Sequence, residues 1–379
     1  WARVLDRMPQ VVSAYAGPSE LISQREAIAE QLRSSHALTR IRERVGSAGV
    51  DILNWEQGLL VLHGMNYQPR PVYQSYQAHS VRLMRMNEAH FLDANAPRYV
   101  LLKLQAIDGR LPSGEDALAL VALLRAYVPV LEESGFLLFE RSTDDPVDAL
   151  PELALDQSVA LGEWFELPDS KGPKLLALDA EPSALGRLYA FWFRTPPLML
   201  EVETAGGLRS SYRLQPKATR AGFLLSPLLR STQQLSGLYT GRPPESVRRA
   251  RIYSALPTYQ AMWGDRVSIG FGSFTWRRPT AEQSEALLPD TAHAGFRLRD
   301  IARDGLIQRI EEGGREVLFM HAPAHLDFML PAGHFEVMAE FGIREAAIGD
   351  SGCIDARADG IRLALYLRRA DQAEWQPQA

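Results

Sequence analysis

The 379-residue chain has a single cysteine, Cys353. One thiol excludes an internal disulfide and any zinc site built on several cysteines. No apolar run reaches the roughly 20 residues a helix needs to cross a bilayer. The longest, 118–131, is interrupted by Arg125 and reads as a buried amphipathic helix. Basic excess is missing too. The formal net charge is −5, whereas a nucleic-acid binder needs a basic surface to displace counterions from phosphates. No nucleic-acid partner is expected, and the grouped Arg248, Arg249 and Arg251 read as alternating strand charges. There is no Gly-x-Ser-x-Gly elbow, phosphate-binding glycine loop or dinucleotide fingerprint. Gly270-Phe271-Gly272-Ser273 sits in strand-like text, and Ala205-Gly206-Gly207 reads as a hairpin turn between alternating strands. No signal peptide is evident. The chain opens at Trp1 without a methionine, which gives the expectation of a processed or excised piece whose anchor or export signal lies upstream.

What is present is the balance of an ordinary globular protein, 46% apolar and 23% charged, long enough to bury a core without disulfides or metals. The length suggests two or three domains. Two acidic, proline-bearing stretches, 141–157 and 277–292, read as linkers. They give an α+β multidomain fold: an N-terminal α/β domain over 1–142, then two antiparallel β-sandwich domains over 155–278 and 293–370. In the first piece a capped helix runs from Pro18 until Gly46 can end it. Strands are expected at 50–53, 59–62, 99–104 and 136–139, with a helix over 115–127 whose positive end Glu115 and Asp116 complement. Strand, helix and strand there suggest a βαβ unit. Beyond 155, alternation at 198–203, 211–214, 251–254 and 267–271 predicts antiparallel strands. The last piece repeats the style at 316–320, 326–330, 335–341 and 361–367.

His321, His325 and His334 lie close in sequence, with Asp327 nearby. Their turn-like setting and the absence of His-Glu-x-x-His spacing give no metal site, and no cofactor is expected. Asp51 and Glu56 flank Asn54-Trp55, an acid-and-aromatic mix that sugar sites favour and that a strand end also explains. The most unusual text is Tyr67-Gln68-Pro69-Arg70-Pro71-Val72-Tyr73-Gln74-Ser75-Tyr76. Two prolines hold the backbone extended around Arg70. Arg70, Tyr73, Gln74 and Tyr76, with Trp55, are the candidate ligand-binding residues, because arginine forks onto anions and tyrosines offer flat faces. A rigid structural connection explains the same text.

From these residues the chain resembles a functionally uncharacterised group of bacterial multi-pass membrane proteins with a glycosyltransferase-like layout. Carrying the resemblance are residues 69–76, Ala96-Pro97-Arg98-Tyr99-Val100-Leu101, Ile107-Asp108-Gly109-Arg110, Gly135-Phe136-Leu137-Leu138, Tyr212-Arg213-Leu214 and 222–227. The last piece is similar in rhythm to carbohydrate-binding β-sandwich modules, through His321-Ala322-Pro323, 330–333, Phe341-Gly342-Ile343 and Ala358-Asp359-Gly360. The resemblance implies an extracytoplasmic recognition or accessory region in envelope polysaccharide or glycolipid handling. It would meet a glycan or lipid-linked sugar and reach the membrane through segments outside this chain. A glycan-cleaving or glycan-transferring enzyme and a protein-interaction scaffold are the alternatives.

Overall fold

A computed structural model of the protein describes residues 18–280 except 36, 145, 146, 170, 171, 194, 195, 241 and 242, then Leu287 and the backbone of strand segments between 292 and 378. The chain is α+β, combining helices with several antiparallel sheets, and it divides into two compact units, Trp1–Asp290 and Thr291–Ala379. No helix among the described residues is long and apolar enough to cross a membrane.

The first unit begins with α1 (Pro18–Ser35) and α2 (Thr39–Val45) where one helix was expected. Gly46 ends α2 with a φ of 55°, a conformation that glycine adopts without steric cost. Next come β1 (Val50–Leu53), α3 (Gly58–Leu62), α4 (Val81–Leu92) and β2 (Tyr99–Leu102). The run 59–62 is therefore helical. Four consecutive apolar residues do not distinguish strand from helix, and only Leu60 of them is buried. β1 and β2 are parallel, joined by a crossover through α4. α5 (Ala117–Ala126) passes directly into β3 (Tyr127–Glu133), and β4 (Phe136–Arg141) returns through Ser134 and Gly135, both at positive φ. The sheet order is β1-β2-β4-β3, with β4 antiparallel to β2. The βαβ unit expected from β2 to β4 is thus absent, because β3 reverses the chain first. Pro129 lies in β3 at the sheet edge, where its missing N–H disrupts least.

The rest of the unit contains β5 (Gln157–Ala160), β6 (Trp164–Glu166), β7 (Lys174–Asp179), α6 (Ala184–Trp192), β8 (Leu198–Thr204), β9 (Arg209–Arg213), α7 (Pro216–Thr219), β10 (Phe223–Ser226), α8 (Thr232–Tyr239), β11 (Val247–Ser254) and β12 (Arg266–Ser273). These strands form two antiparallel sheets, β10-β7-β12-β5 and β6-β11-β8-β9. The expected turn at Ala205-Gly206-Gly207 joins β8 to β9. Leu198, Leu200 and Val202 point inward from β8, while Glu201 lies on the outer face.

One apolar cluster runs from Phe91, Leu118 and Phe139 to Leu176, Leu200, Leu224 and Ile269. A second, with Ile41, Val50, Ile52 and Leu101, covers the other face of the first sheet. Residues 150–154 are docked on this core. Leu150 is buried, and its N–H donates to Glu88 Oε1 at 2.8 Å. The Ala154 carbonyl lies so close to Gly270 that a Cβ there would meet it at 1.8 Å. Ser113 Oγ donates to the Leu224 carbonyl at 2.6 Å, and the Leu104 N–H to Thr232 Oγ1 at 2.8 Å.

The second unit has β13 (Ala292–His293), β14 (Phe296–Arg303), β15 (Ile307–Glu312), β16 (Arg315–Met320), β17 (Ala324–Met329), β18 (Leu365–Leu367) and β19 (Gln376–Gln378). They pair antiparallel as β13-β14-β17, β15-β16 and β18-β19. His321, His334, Cys353 and the strand expected over 335–341 lie outside the described residues.

The shared core predicts that β2 and β8 open together. Native-state hydrogen exchange on the full chain should give their slowest amides the same opening free energy. A β8 that opens well below β2 would mark a domain border between 142 and 155. Gly270→Ala should lower stability by about 1–3 kcal/mol through overpacking against Ala154, read by urea unfolding.

Candidate functional site

β1 and β2 end side by side, Leu53 opposite Leu102. The residues that follow, Asn54-Trp55-Glu56 and Lys103-Leu104-Gln105, therefore meet at one edge, at the carboxyl ends of two parallel strands. That is where open α/β sheets place ligands.

Arg70 organises this edge from inside. Its side chain has no exposure, which corrects the expectation that it faces a ligand. Nε donates to Asp116 Oδ2 at 3.4 Å and Nη1 to Asp51 Oδ2 at 3.3 Å and to the Ile52 carbonyl. Nη2 donates to the Asn54 carbonyl at 3.1 Å and Ser75 Oγ at 2.9 Å. These five bonds use all five guanidinium N–H groups. Asn87 joins the network, donating to Asp116 Oδ2 at 2.7 Å and to the Val72 carbonyl at 2.9 Å. Burial pushes the carboxyls of Asp51 and Asp116 up, the latter to about 7, against the pull of Arg70. Asp116 sits at the start of α5 with a φ of 48° and makes no cap bond, so its expected role at the helix end passes to this network.

The Asn54 carbonyl accepts from Arg70, from Gln57 Nε2 at 2.7 Å and from the Ser75 N–H at 3.3 Å. Gln57 also donates to the Tyr73 carbonyl. Trp55 and Tyr73 thereby stand on tied backbone, each with more than a third of its surface exposed. Tyr76 and Gln74 are half-buried and bonded to each other, Tyr76 OH to Gln74 Oε1 at 2.6 Å. Ser75–Gln77 is a 3-10 turn rather than extended chain, so Ser75 points inward while Tyr73 stays out.

Asn54, next to Trp55 in sequence, lines a crevice of about 20 Å³ with Ser75, Lys103, Gln105, Pro112 and Glu115, room for one water. Asn54 and Glu115 are buried, and each keeps one oxygen, Asn54 Oδ1 and Glu115 Oε2, without a partner. Asn54 Nδ2 donates to the Lys103 carbonyl at 2.6 Å; Glu115 Oε1 accepts from the Ile107 N–H at 3.3 Å and Arg110 Nη1 at 3.4 Å. Burial pushes the Glu115 carboxyl up to about 7. It is therefore part-protonated near neutral pH and can both donate and accept. Glu56 Oε1 pairs with Lys103 Nζ at 2.8 Å, and its buried Oε2 is also unpartnered. Asp51, weighed as a partner for Glu56, is instead enclosed with Arg70.

A larger depression of about 400 Å³ lies by α2 and the end of α3, lined by Arg42, Glu43, His63 and Met65, and contains none of the sequence-predicted residues. On the outer face of the β6-β11-β8-β9 sheet the guanidiniums of Arg209, Arg249 and Arg251 lie 4.8–5.4 Å from the Trp164 ring centroid. Arg249, with Arg209, holds the Glu203 carboxyl down at about 2. This lattice agrees with the alternating strand charges, and it occupies Trp164 with protein groups. Among the described residues no three His, Cys, Asp or Glu side chains could share a metal ion. Comparisons with protein-family models, curated proteins and solved structures return no match to this chain.

Arg70→Met should cost about 3–5 kcal/mol in urea unfolding, because it strands two buried carboxylates; Arg70→Lys should also destabilise, having three donors for five acceptors. A cost near zero for both would place the ion network outside the stability of the fold. The raised carboxyls set a pH slope. Glu115 and Asp116 bind protons more tightly folded than unfolded, so their contribution is full below about pH 4 and is lost as pH rises through 7. Glu115→Gln should flatten the fall in stability between those limits, measured by urea midpoints across pH.

Proposed function

We propose that the chain is a non-catalytic recognition region of a bacterial cell-envelope membrane protein, outside the cytoplasmic membrane, that binds a glycan or lipid-linked sugar at the β1–β2 edge. One observation carries this reading. Trp55 and Tyr73 are exposed on tied backbone beside a crevice whose buried Asn54 and Glu115 oxygens lack partners. Sugar rings offer apolar C–H faces for aromatic side chains and hydroxyls for polar groups at the rim, and one water in the crevice can bridge to the enclosed oxygens. Rigid Trp and Tyr supply contact area at low entropic cost. Small-ligand clefts of about 300–1,000 Å³ enclose most of their ligand, and a crevice sized for one water favours recognition over enclosure.

In the same reading, 155–278 and 293–370 are β-sandwich modules appended to the α/β part, the last similar to a carbohydrate-binding module. The Phe165–Phe271 contact at 6.3 Å, between strands of two different sheets, supports a sandwich for the first of them. Membrane attachment is through segments outside this chain. One observation favours a glycan-cleaving enzyme as the second reading: a carboxyl at about 7 in Glu115 is what a general acid needs.

The test is a panel of bacterial envelope glycans titrated against the full chain by saturation-transfer NMR. Trp55→Ala and Tyr73→Ala should each weaken binding about tenfold, or 1.4 kcal/mol, without lowering the melting temperature. Unchanged affinity in both variants would remove the site. Glycan cleavage that Glu115→Gln abolishes while binding persists would establish the enzyme instead.

A further inference from the structure

α6 is built inside out. Its buried residue is Gly186, while Leu185, Leu188, Phe191 and Trp192 are exposed, the last two by 78% and 72%. Phe193, just after the helix, and Leu256, at the start of the 3-10 segment Pro257–Met262 that α6 packs on, add to the surface. At 100° per residue the four helical side chains fill an arc of about 120°, and Gly186 and Ala190 lie opposite. The helix is held firmly in this orientation. A Cβ on Gly186 would meet the Met262 carbonyl at 1.8 Å. Ser183 caps the helix, accepting from the Gly186 N–H at 3.0 Å, and its Oγ donates to the Ala261 carbonyl at 2.7 Å. Loose packing does not explain the exposure.

We infer that α6 is a lipid-surface anchor, seating its apolar ridge in the interfacial zone of an anionic bilayer. Three features choose a bilayer over a protein partner. Side chains exposed by more than 70% form a ridge, and a ridge needs a matching groove in a protein but none in a membrane. Beside the arc lie Arg187 and Tyr189, residues with apolar bodies and polar tips that suit the headgroup level. The sequence 183–194 carries Arg187 and Arg194 and no carboxylate, the nearest acid before it being Glu181; the net positive charge complements anionic lipid. Leu, Phe and Trp on one face with an arginine at its margin is the composition of helices that lie in the interface plane. The contact would be made by this chain directly, independently of attachment elsewhere and of glycan binding.

The experiment is co-sedimentation of the full chain with vesicles of phosphatidylglycerol mixed with phosphatidylcholine, and with phosphatidylcholine alone. The wild type should bind the anionic vesicles more strongly. The double variant Phe191→Ser/Trp192→Ser should bind at least about tenfold less, with an unchanged melting temperature because both side chains are exposed. No binding by the wild type to either vesicle overturns the inference, as does binding that the double variant leaves intact. A self-association by sedimentation velocity that the double variant abolishes, without vesicle binding, would assign the ridge to a second copy instead.

Discussion

The buried guanidinium of Arg70 holds together the edge of the first sheet where β1 and β2 end. A charge taken fully out of water is costly unless every hydrogen is bonded and opposite charge is near. Arg70 meets both conditions with five acceptors drawn from Asp51, Ile52, Asn54, Ser75 and Asp116. A lysine offers three donors from a point charge and could not span that set. Because the acceptors come from β1, the loop after it, the 3-10 turn and the start of α5, one side chain fixes four segments. Two carboxyls share the single cation, and burial pushes both up against its pull, Asp116 to about 7.

Downstream of that constraint, the Asn54 carbonyl gathers three donors, and Gln57 ties it to Tyr73. The exposed aromatics are thus positioned by groups that never reach solvent. The same core extends under β7, β8 and β12, and the close approach of Ala154 to Gly270 fastens the intervening segment. A recognition surface benefits from such rigidity, since less ordering entropy is lost when a ligand binds.

Part of this was legible in the sequence. β1, β2, β8 and the β8–β9 turn follow from apolar alternation or short β-rich runs bounded by turn residues. β3 was hidden, because 118–131 is one apolar run and its break at Tyr127 comes from tertiary pairing with β4. α6 was hidden by its reversed faces: periodicity assigns Leu185, Leu188 and Phe191 to a core they do not occupy. The text of the segment 67–76 does not reveal which way its side chains point. Proline-flanked arginine suits a ligand grip and a buried fork equally, and Asp116, the partner that helps decide, lies 46 residues away. Glu115 carried no local signal, since its raised carboxyl arises from burial in the folded chain.

The central claim is that a sugar meets the exposed aromatics and the crevice while Arg70 stays internal. Chemical-shift mapping during titration with an envelope glycan tests it most directly, using the Asn54 side-chain amide, the Trp55 indole and the Arg70 Nε–H as probes. The account predicts that the Asn54 and Trp55 signals move together with saturation, while Arg70 Nε–H stays in place and protected from exchange. Saturable shifts elsewhere on the chain with Asn54 and Trp55 unmoved would contradict it.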